Sequence, residues 1–187
     1  MATTTDRVNE FESRIGGVTV KGKAHSLSAW FVLALRLMMG YAFLHAGYVK
    51  IVAAEPFSAV GYLTHAVPEA SPLYGTFQWM GTTTWFAEFL TVAIPWGEFL
   101  IGAALIVGLA TRFAAFWGAF MMLMFYFSNW SVEHGMINGD FAYMLVFLAV
   151  AAFGAGRILG LDAYVEKMDF GGQPLVERIP VLAYLLG

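Results

Sequence analysis

Long apolar runs separated by short polar stretches dominate the chain, and four of them are candidates for membrane-spanning helices. A bilayer core of about 30 Å requires roughly 20 mostly apolar residues in one helix. We therefore expect four spans, the last of marginal length, at 27–52, 85–110, 113–130 and 137–155. The pattern predicts an all-α fold, a transmembrane four-helix bundle whose membrane domain covers residues 27–160.

The connection between the first and second spans, from about residue 53 to residue 84, is too apolar for a loop in water. Its hydrophobic patches are each too short to cross a bilayer, and Pro56, Pro68 and Pro72 interrupt them. Short apolar segments of this kind lie in the membrane interface or fold back over a bundle. We expect short interfacial or re-entrant helices here, covering the outer end of the bundle.

Basic residues are distributed unevenly about the predicted spans, and this orients them. They precede the first span, occupy the turn between the second and third, and follow the fourth: Arg7, Arg14, Lys21, Lys23, Arg112, Arg157, Lys167 and Arg178. Cytoplasmic loops carry such an excess, so we expect a multi-pass plasma-membrane protein with both termini in the cytoplasm. Residues 1–26 would be a polar cytoplasmic segment without a cleavable signal peptide. Residues 161–187 would be a cytoplasmic tail suited to the inner membrane surface.

Composition supports a membrane protein and narrows the possible chemistry. Only 12% of residues are charged and 59% are hydrophobic, whereas a soluble domain has roughly 25% charged residues, so lipid is an expected partner. The net charge of −3 gives no reason to expect a nucleic-acid partner. Because the chain has no cysteine, it offers no ligands for an iron–sulfur cluster, and we expect no metal site. Haem is disfavoured, because axial ligation needs two histidines that face each other across the bundle. Only His45 and His134 share a level, and His134 falls in a predicted loop.

Two ionisable residues fall deep within the predicted spans. At about 1.5 Å per residue, Arg36 would lie roughly 13 Å from Leu27 and Glu98 roughly 18 Å from Ala110, both measured from the inner edge. Charges in hydrocarbon need partners or water, so we predict an intramembrane ion pair between Arg36 and Glu98. The pair could satisfy two buried charges or have a functional role, and the sequence leaves both open.

Polar residues from all four predicted spans converge near the outer end of the bundle. They predict a polar pocket with aromatic walls that opens outward. Its candidate residues for binding a ligand or quinone are His45, Lys50, Trp85, Glu88, Asn129, Trp130 and Asp140. Contact with water is the alternative explanation for polar residues close to loops, such as Glu133 and His134.

Several segments, in their order and spacing, resemble the DoxX/DoxD family of small four-helix membrane proteins. The resemblance covers about residues 27–162 and is carried by residues 36–50, by 97–112, by Asn129 and Asp140, and by the glycine-rich stretch 154–162. It implies a four-helix fold and a link to membrane redox chemistry. DoxD-type members are small subunits of a thiosulfate:quinone oxidoreductase, and DoxX-type members are associated with terminal quinol oxidases or oxidative-stress complexes. Since this chain lacks cysteine, any thiol or persulfide chemistry would come from a partner.

Three functions remain open at this point. The first is a small membrane subunit of a quinone-linked oxidoreductase or respiratory complex, because a quinone needs an apolar cleft with a few polar groups. The second is a non-enzymatic scaffold or assembly subunit of a membrane complex. The third is a protein that binds or transports a small solute. Each would involve a protein partner, either another subunit or a second copy of the chain.

Overall fold

Four long helices form the framework of the computed structural model, which describes residues 10–15, 17–23, 25, 27–132, 136–169 and 173–187. Within these ranges the long helices are α1 (Ser28–Val52), α4 (Thr84–Val107), α5 (Thr111–Ser128) and α6 (Gly139–Ala152). Short helices connect α1 to α4: α2 (Ala59–Gly61), a π-helical turn (Tyr62–Ala66) and α3 (Tyr74–Thr82). After α6 come a 3-10 turn (Ala155–Arg157), α7 (Asp162–Val165), α8 (Leu175–Arg178) and α9 (Leu182–Leu185).

The long helices lie close to the predicted spans, and the chain is mostly helical. Within the described ranges, α1 and α4 are the helices long and apolar enough to cross a membrane, and α6 is a shorter apolar helix. Gly108 ends α4 with a φ of +67°, and α5 begins at Thr111. The sequence predicted this turn at Thr111 and Arg112, but it lies just before them, because both residues belong to α5.

A β-hairpin precedes α1, and the prediction of an all-α fold missed it. Strand β1 (Glu10–Ile15) pairs antiparallel with β2 (Val18–Lys23), and the ladder ends with Ile15 opposite Val18. Gly17 lies in the turn with a φ of +85°, a conformation that glycine adopts at little cost. The segment is polar overall, and its strand character lies in the alternation of its side chains, which its polarity does not reveal.

Helices α1 and α4 pack antiparallel at very short range through glycines. A Cβ added to Gly102 would lie 2.6 Å from Leu44 Cα, and one added to Gly47 would lie 2.8 Å from Phe99 Cα. Because glycine has no side chain, the two backbones can approach closely. These contacts fix the register of the two helices, which puts Glu98 level with the last two turns of α1.

The main hydrophobic core lies between the long helices and centres on two aromatic rings. Phe147 of α6 meets Phe43 of α1 edge-on, with 4.7 Å between ring centroids, and it covers Gly118 of α5, whose missing Cβ leaves room for the ring. The remaining buried members of the core are Met39, Ile101, Leu105, Ala114, Ala115, Ala119, Met122, Val150 and Ala155.

The segment between α1 and α4 has a hydrophobic core of its own. Its buried members are Ala59, Leu63, Val67 and Phe77. Partly buried Leu90 and Ile94 of α4 and Phe127 of α5 pack against them. The segment is therefore held against the N-terminal half of α4 and the C-terminal half of α5. We call this end of the helices outer and the opposite end inner, after the orientation that the sequence predicts.

Buried Arg36 ties α1 to the chain that follows α6. Its side chain is 1% exposed, and it donates hydrogen bonds to the carbonyl oxygens of Ala155 at 2.6 Å and Ile158 at 2.9 Å. A third bond of 3.3 Å reaches the carbonyl of Leu159, a residue in the left-handed region with a φ of +52°. Charged donors give the stronger class of hydrogen bond, so Arg36 stabilises this irregular turn.

Buried Asp162 holds the turn between α4 and α5 from the same stretch of chain. Its carboxylate accepts hydrogen bonds from the backbone N–H groups of Ala110 at 2.7 Å, Thr111 at 3.0 Å and Gly187 at 3.1 Å. These amides include that of Thr111 at the start of α5, where a negative charge is favoured by the helix dipole. In return, the Asp162 N–H donates to the carbonyl of Gly108 at 2.8 Å. We call Arg36, Asp162 and the backbone groups they bind the inner clamp.

The C-terminal tail packs against the same end of the bundle. Arg112 donates a 2.9 Å hydrogen bond to the carbonyl of Ala183, and Leu186 is buried. The tail therefore belongs to the packed inner end, in addition to any contact it makes with a membrane surface.

Replacing Gly102 by alanine should destabilise the protein. The new Cβ would overlap backbone atoms of Leu44, which cannot move aside as a side chain can, so α1 and α4 must separate. We expect a loss of roughly 1–3 kcal/mol in the free energy of unfolding, measured by tryptophan fluorescence in detergent. Gly61→Ala is the matched control, because open space surrounds that position. Equal stability of the two variants would contradict this packing.

Removing the Asp162 carboxylate should destabilise the protein more strongly. Asp162→Ala leaves three backbone N–H groups without their charged acceptor, and we expect a loss of roughly 3 kcal/mol or more. Glu166→Gln is the control, because its ion pair with Arg157 is partly exposed and worth less than about 1 kcal/mol. A cost for Asp162→Ala as small as the control's would show that the carboxylate does not hold the turn.

The Arg157–Glu166 pair should give a small pH dependence of stability. Hydrogen bonds from Arg157 lower the pKa of Glu166 from its ordinary value of 4.5, so the pair stabilises the folded state above that pH. The contribution is lost as the pH falls through the lowered pKa of the folded protein. The stability difference between wild type and Glu166→Gln should stay constant from neutral pH to about pH 5 and shrink at lower pH. A difference that grew on acidification would contradict this ion pair.

Candidate functional site

An apolar cavity of about 470 Å³ lies between the outer halves of α4 and α5 and the segment that connects α1 to α4. Phenylalanine, leucine, isoleucine and methionine make up most of its wall. Its lining residues are Lys50, Phe57, Ala59, Tyr62, Leu63, Phe77, Met80, Phe86, Phe89, Leu90, Ile94, Glu98, Phe120, Met121, Met124, Phe125 and Ser128. Volume and character match cavities that bind small amphiphilic molecules.

One ion pair supplies the charged groups of this cavity. The Lys50 ammonium donates to both carboxylate oxygens of Glu98, at 2.7 Å and 2.5 Å. The Glu98 side chain is 4% exposed and that of Lys50 is 29% exposed. The ammonium also lies 5.8 Å from the centre of the Phe57 ring, a distance at which a cation is attracted to an aromatic face.

The predicted ion pair between Arg36 and Glu98 is wrong. Glu98 binds Lys50, and Arg36 binds backbone carbonyls of the inner clamp. The α1–α4 register explains the error, because it places Glu98 near Tyr48, twelve residues or about 18 Å along α1 from Arg36. About the first three turns of α1, including Arg36, extend past the end of α4, so counting from Leu27 overestimated the depth of Arg36.

A second apolar hollow of about 480 Å³ continues the cavity toward the inner end of α4 and α5. The two share Phe89, Leu90, Ile94, Phe120 and Met121. Side chains on the rim, such as Phe89, Leu100 and Phe113, are about half exposed. Together the hollows form a groove that opens on the outside of the bundle, and the Lys50–Glu98 pair forms part of its wall.

A hydrogen-bonded chain separates this cavity from a smaller polar one. The Tyr62 hydroxyl donates to Asn129 Oδ1 at 2.5 Å and lies 2.9 Å from Ser128 Oγ. The Asn129 amide then donates to Asp140 Oδ2 at 2.8 Å. Asn129 and Asp140 line the outer cavity, of about 340 Å³, with Tyr126, Trp130, Ser131, Met136 and Asn138.

The sequence-predicted site residues fall into three groups. Asn129, Trp130 and Asp140 come together at the outer cavity, and Lys50 lies at the apolar cavity with Glu98. The other three point outward: His45, Trp85 and Glu88 are exposed on the helix surfaces. Glu133 and His134 lie outside the described residues.

The sequence predicted that all seven candidate residues line one outer pocket, and this prediction is wrong. Three of them line the outer cavity, Lys50 lines the apolar cavity, and three are exposed. The prediction included both His45 and Lys50 in this pocket. The two side chains lie on different sides of α1, because five residues advance a helix by almost one and a half turns. Tyr62 and Ser128 of the site were missed. Tyr62 meets Ser128 only because the connecting segment folds over α4 and α5. No local sequence motif predicts that contact.

The cavity offers acid–base and hydrogen-bonding groups in an apolar surrounding. Lys50 can donate hydrogen bonds, Glu98 can accept them, and the Tyr62 hydroxyl can do both. Among the described residues, no group of three or more histidine, cysteine, aspartate or glutamate side chains could hold a metal ion. The chemistry of the site is thus that of an ion pair facing a space for an apolar molecule.

Comparison with known proteins identifies the family. The DoxX family model matches residues 31–130, more than half of the 187 residues and the whole of the chain from the first turn of α1 to the end of α5. No curated protein matches the chain, and no solved structure matches it. The matched range contains Lys50, Glu98 and Tyr62 of the apolar cavity. The chain therefore belongs to the DoxX family and is a small membrane protein.

Proposed function

We propose that the chain is a multi-pass membrane subunit of a quinone-linked oxidoreductase and that a quinone head group binds in the apolar cavity beside Lys50 and Glu98. The single observation that carries the proposal is the pairing of a buried carboxylate with an ammonium in the wall of an apolar groove. Ionisable groups are rare within membrane-spanning helices and mark functional sites.

The proposed placement in the membrane has α1, α4, α5 and α6 crossing it with both termini in the cytoplasm. At about 1.5 Å per residue, the 18 residues of α5 extend roughly 27 Å, close to the thickness of the hydrocarbon core. Arg36, Arg112 and Arg157 gather at the end that carries the α4–α5 turn, which favours that end as cytoplasmic. Glu98 would then lie near the middle of the bilayer, within the length of α4.

The groove suits the shape of a membrane quinone. The cavity at the ion pair would take the ring, and the hollow that continues between α4 and α5 would take the hydrocarbon tail. Because the groove opens on the outside of the bundle, a quinone could enter from the lipid without passing through water. Re-entrant or interfacial helices between α1 and α4 would cover the ring from the outer side.

The polar groups of the cavity are suited to hydrogen bonding with both the oxidised and the reduced form of a quinone. Lys50 would donate a hydrogen bond to a carbonyl oxygen of the quinone, and Glu98 would accept one from a hydroxyl of the reduced form. Tyr62 faces the same cavity and connects through Asn129 to Asp140. A bound quinone would carry electrons and protons between the membrane and a partner subunit, which would hold the other redox group because this chain lacks cysteine.

Replacing both members of the ion pair should weaken quinone binding and leave the fold intact. In Lys50→Met/Glu98→Met the side chains keep similar volume, and such apolar replacement of a buried ion pair is often neutral or stabilising. We expect the affinity for a short-tailed benzoquinone or naphthoquinone to fall by a factor of about 10 or more, the loss of one hydrogen bond to a charged group. Titration of the protein in lipid nanodiscs, followed by tryptophan fluorescence, measures this affinity.

Glu88→Gln is the matched control, because Glu88 is an exposed carboxylate on the same helix as Glu98. Its quinone affinity should equal that of the wild type. The proposal fails if the wild type shows no saturable quinone binding, or if the double variant binds as tightly as the control. Unchanged thermal stability of the double variant ensures that lost binding is not lost folding.

A further inference from the structure

The outward face of α1 carries three polar aromatic side chains in a row. Tyr41, His45 and Tyr48 are four and three residues apart, so they lie on one side of the helix. Tyr41 is 66% exposed and Tyr48 is 54% exposed, and His45 between them is exposed as well. The rings of Tyr41 and His45 stack with 5.9 Å between their centroids. We call these three residues the tyrosine–histidine face.

This face is directed away from the rest of the bundle. The buried positions of α1 include Arg36, Phe43 and Gly47, which lie on the opposite side of the helix. Among the described residues, the two phenol hydroxyls and the imidazole have no hydrogen-bond partner. The face is also separate from the apolar cavity, which His45 and its two neighbours do not line.

The position of the face along α1 makes its exposure costly. It is level with the central and inner part of α4, because Leu44 lies against Gly102 and Gly47 against Phe99. In a helix that crosses the membrane, this level meets lipid tails, which offer no hydrogen bonds. An imidazole directed at lipid is therefore unfavourable unless another protein surface covers it.

We propose that the tyrosine–histidine face binds the same face of a second copy of the chain, forming a two-fold symmetric dimer. Two copies inserted in the same direction present residues of the same level to each other across the axis. A neutral imidazole has one donor nitrogen and one acceptor nitrogen, and a phenol hydroxyl is both donor and acceptor. The face is therefore complementary to itself in hydrogen bonding.

Apolar residues extend the face on either side and fit the same arrangement. Leu37 and Met38 lie one turn before Tyr41, and Val52 lies one turn after Tyr48, all of them exposed. They would pack against their counterparts while the polar groups pair between them. The inference rests on the membrane placement proposed above and does not depend on quinone binding.

Disulfide cross-linking tests the dimer directly, because the chain has no cysteine of its own. Tyr41→Cys, Tyr48→Cys and Val52→Cys each place one thiol on the proposed interface and keep His45 in place. We expect at least one of these variants to form a disulfide-linked dimer in membranes treated with an oxidant, detected on a non-reducing gel. A disulfide needs Cβ atoms about 4 Å apart, so only residues near the two-fold axis will react.

Val92→Cys and Leu100→Cys are the controls, because both residues are exposed on α4. They should remain monomeric under the same oxidation. Cross-linking of the α4 controls as strong as that of the α1 variants would overturn the proposal, since it would reflect random collision. Absence of cross-linking at all three α1 positions would overturn it as well.

The role of the imidazole is tested by His45→Leu, which replaces an exposed side chain and leaves the core untouched. We expect the dimer to dissociate about tenfold more readily, the effect of losing interhelical hydrogen bonds, measured by single-molecule photobleaching in nanodiscs across a dilution series. His45→Asn, which retains a donor and an acceptor, should stay close to wild type. If the His45→Leu dimer were as tight as the wild type, the proposed hydrogen bonding of the imidazole in the interface would be wrong.

Quinone affinity measured on the same samples separates the two proposals. His45→Leu should bind quinone as the wild type does, since His45 lies outside the cavity. A failed dimer test with intact quinone binding would refute the interface alone, and the reverse result would refute the cavity alone.

Discussion

Burial of Arg36 and Asp162 at one end of the helices is the constraint on which the rest of the structure depends. The two side chains reach backbone groups on three separate stretches of chain: the α4–α5 turn, the segment after α6, and the C-terminal tail. Buried charges are tolerated when hydrogen bonds replace the water they lose. Here the irregular backbone supplies those bonds, so the charges and the turns stabilise each other.

The clamp and the glycine contacts together decide where the candidate site forms. Arg36 fixes the inner end of α1, and Gly47 and Gly102 allow α1 to lie directly on the backbone of α4. With the register set in this way, the last turn of α1 ends beside Glu98 and Lys50 can reach it. A shift of one turn, about 5.4 Å, would leave a buried carboxylate without its partner.

The packing between α4 and α5 is more open than that of the α1–α4 pair, and it leaves the space in which we propose that a quinone binds. The groove between α4 and α5 is lined by large apolar side chains that do not fill it, and the connecting segment covers its outer part through its own small core. The apolar space and the ion pair therefore meet at the junction of two separately packed units. Tyr41, His45 and Tyr48 on the outward face of α1 do not line this groove, so the proposed quinone and the proposed second copy would not compete.

The sequence by itself determined the helical framework, the membrane character and the family. Apolar runs of sufficient length give helices close to 27–52 and 85–110, because hydrophobic length is a local property of the chain. The same reasoning identified Arg36 and Glu98 as charges within apolar spans and Lys50 as a candidate binding residue. Hydrophobic length does not reveal the hairpin of β1 and β2, because this segment is polar overall and its strand character lies in the alternation of its side chains.

Only the tertiary structure decided which charges meet. Pairing depends on the relative translation of α1 and α4, and no counting from predicted helix ends fixes that translation to within one turn. The close approach at Gly47 and Gly102 fixes the relative translation of the two helices. As a result, Glu98 pairs with Lys50, and Arg36 donates hydrogen bonds to backbone carbonyls. The meeting of Tyr62 with Asn129 depends likewise on how the connecting segment folds over α4 and α5. These are contacts between residues far apart in the chain, and packing of the whole chain selects them.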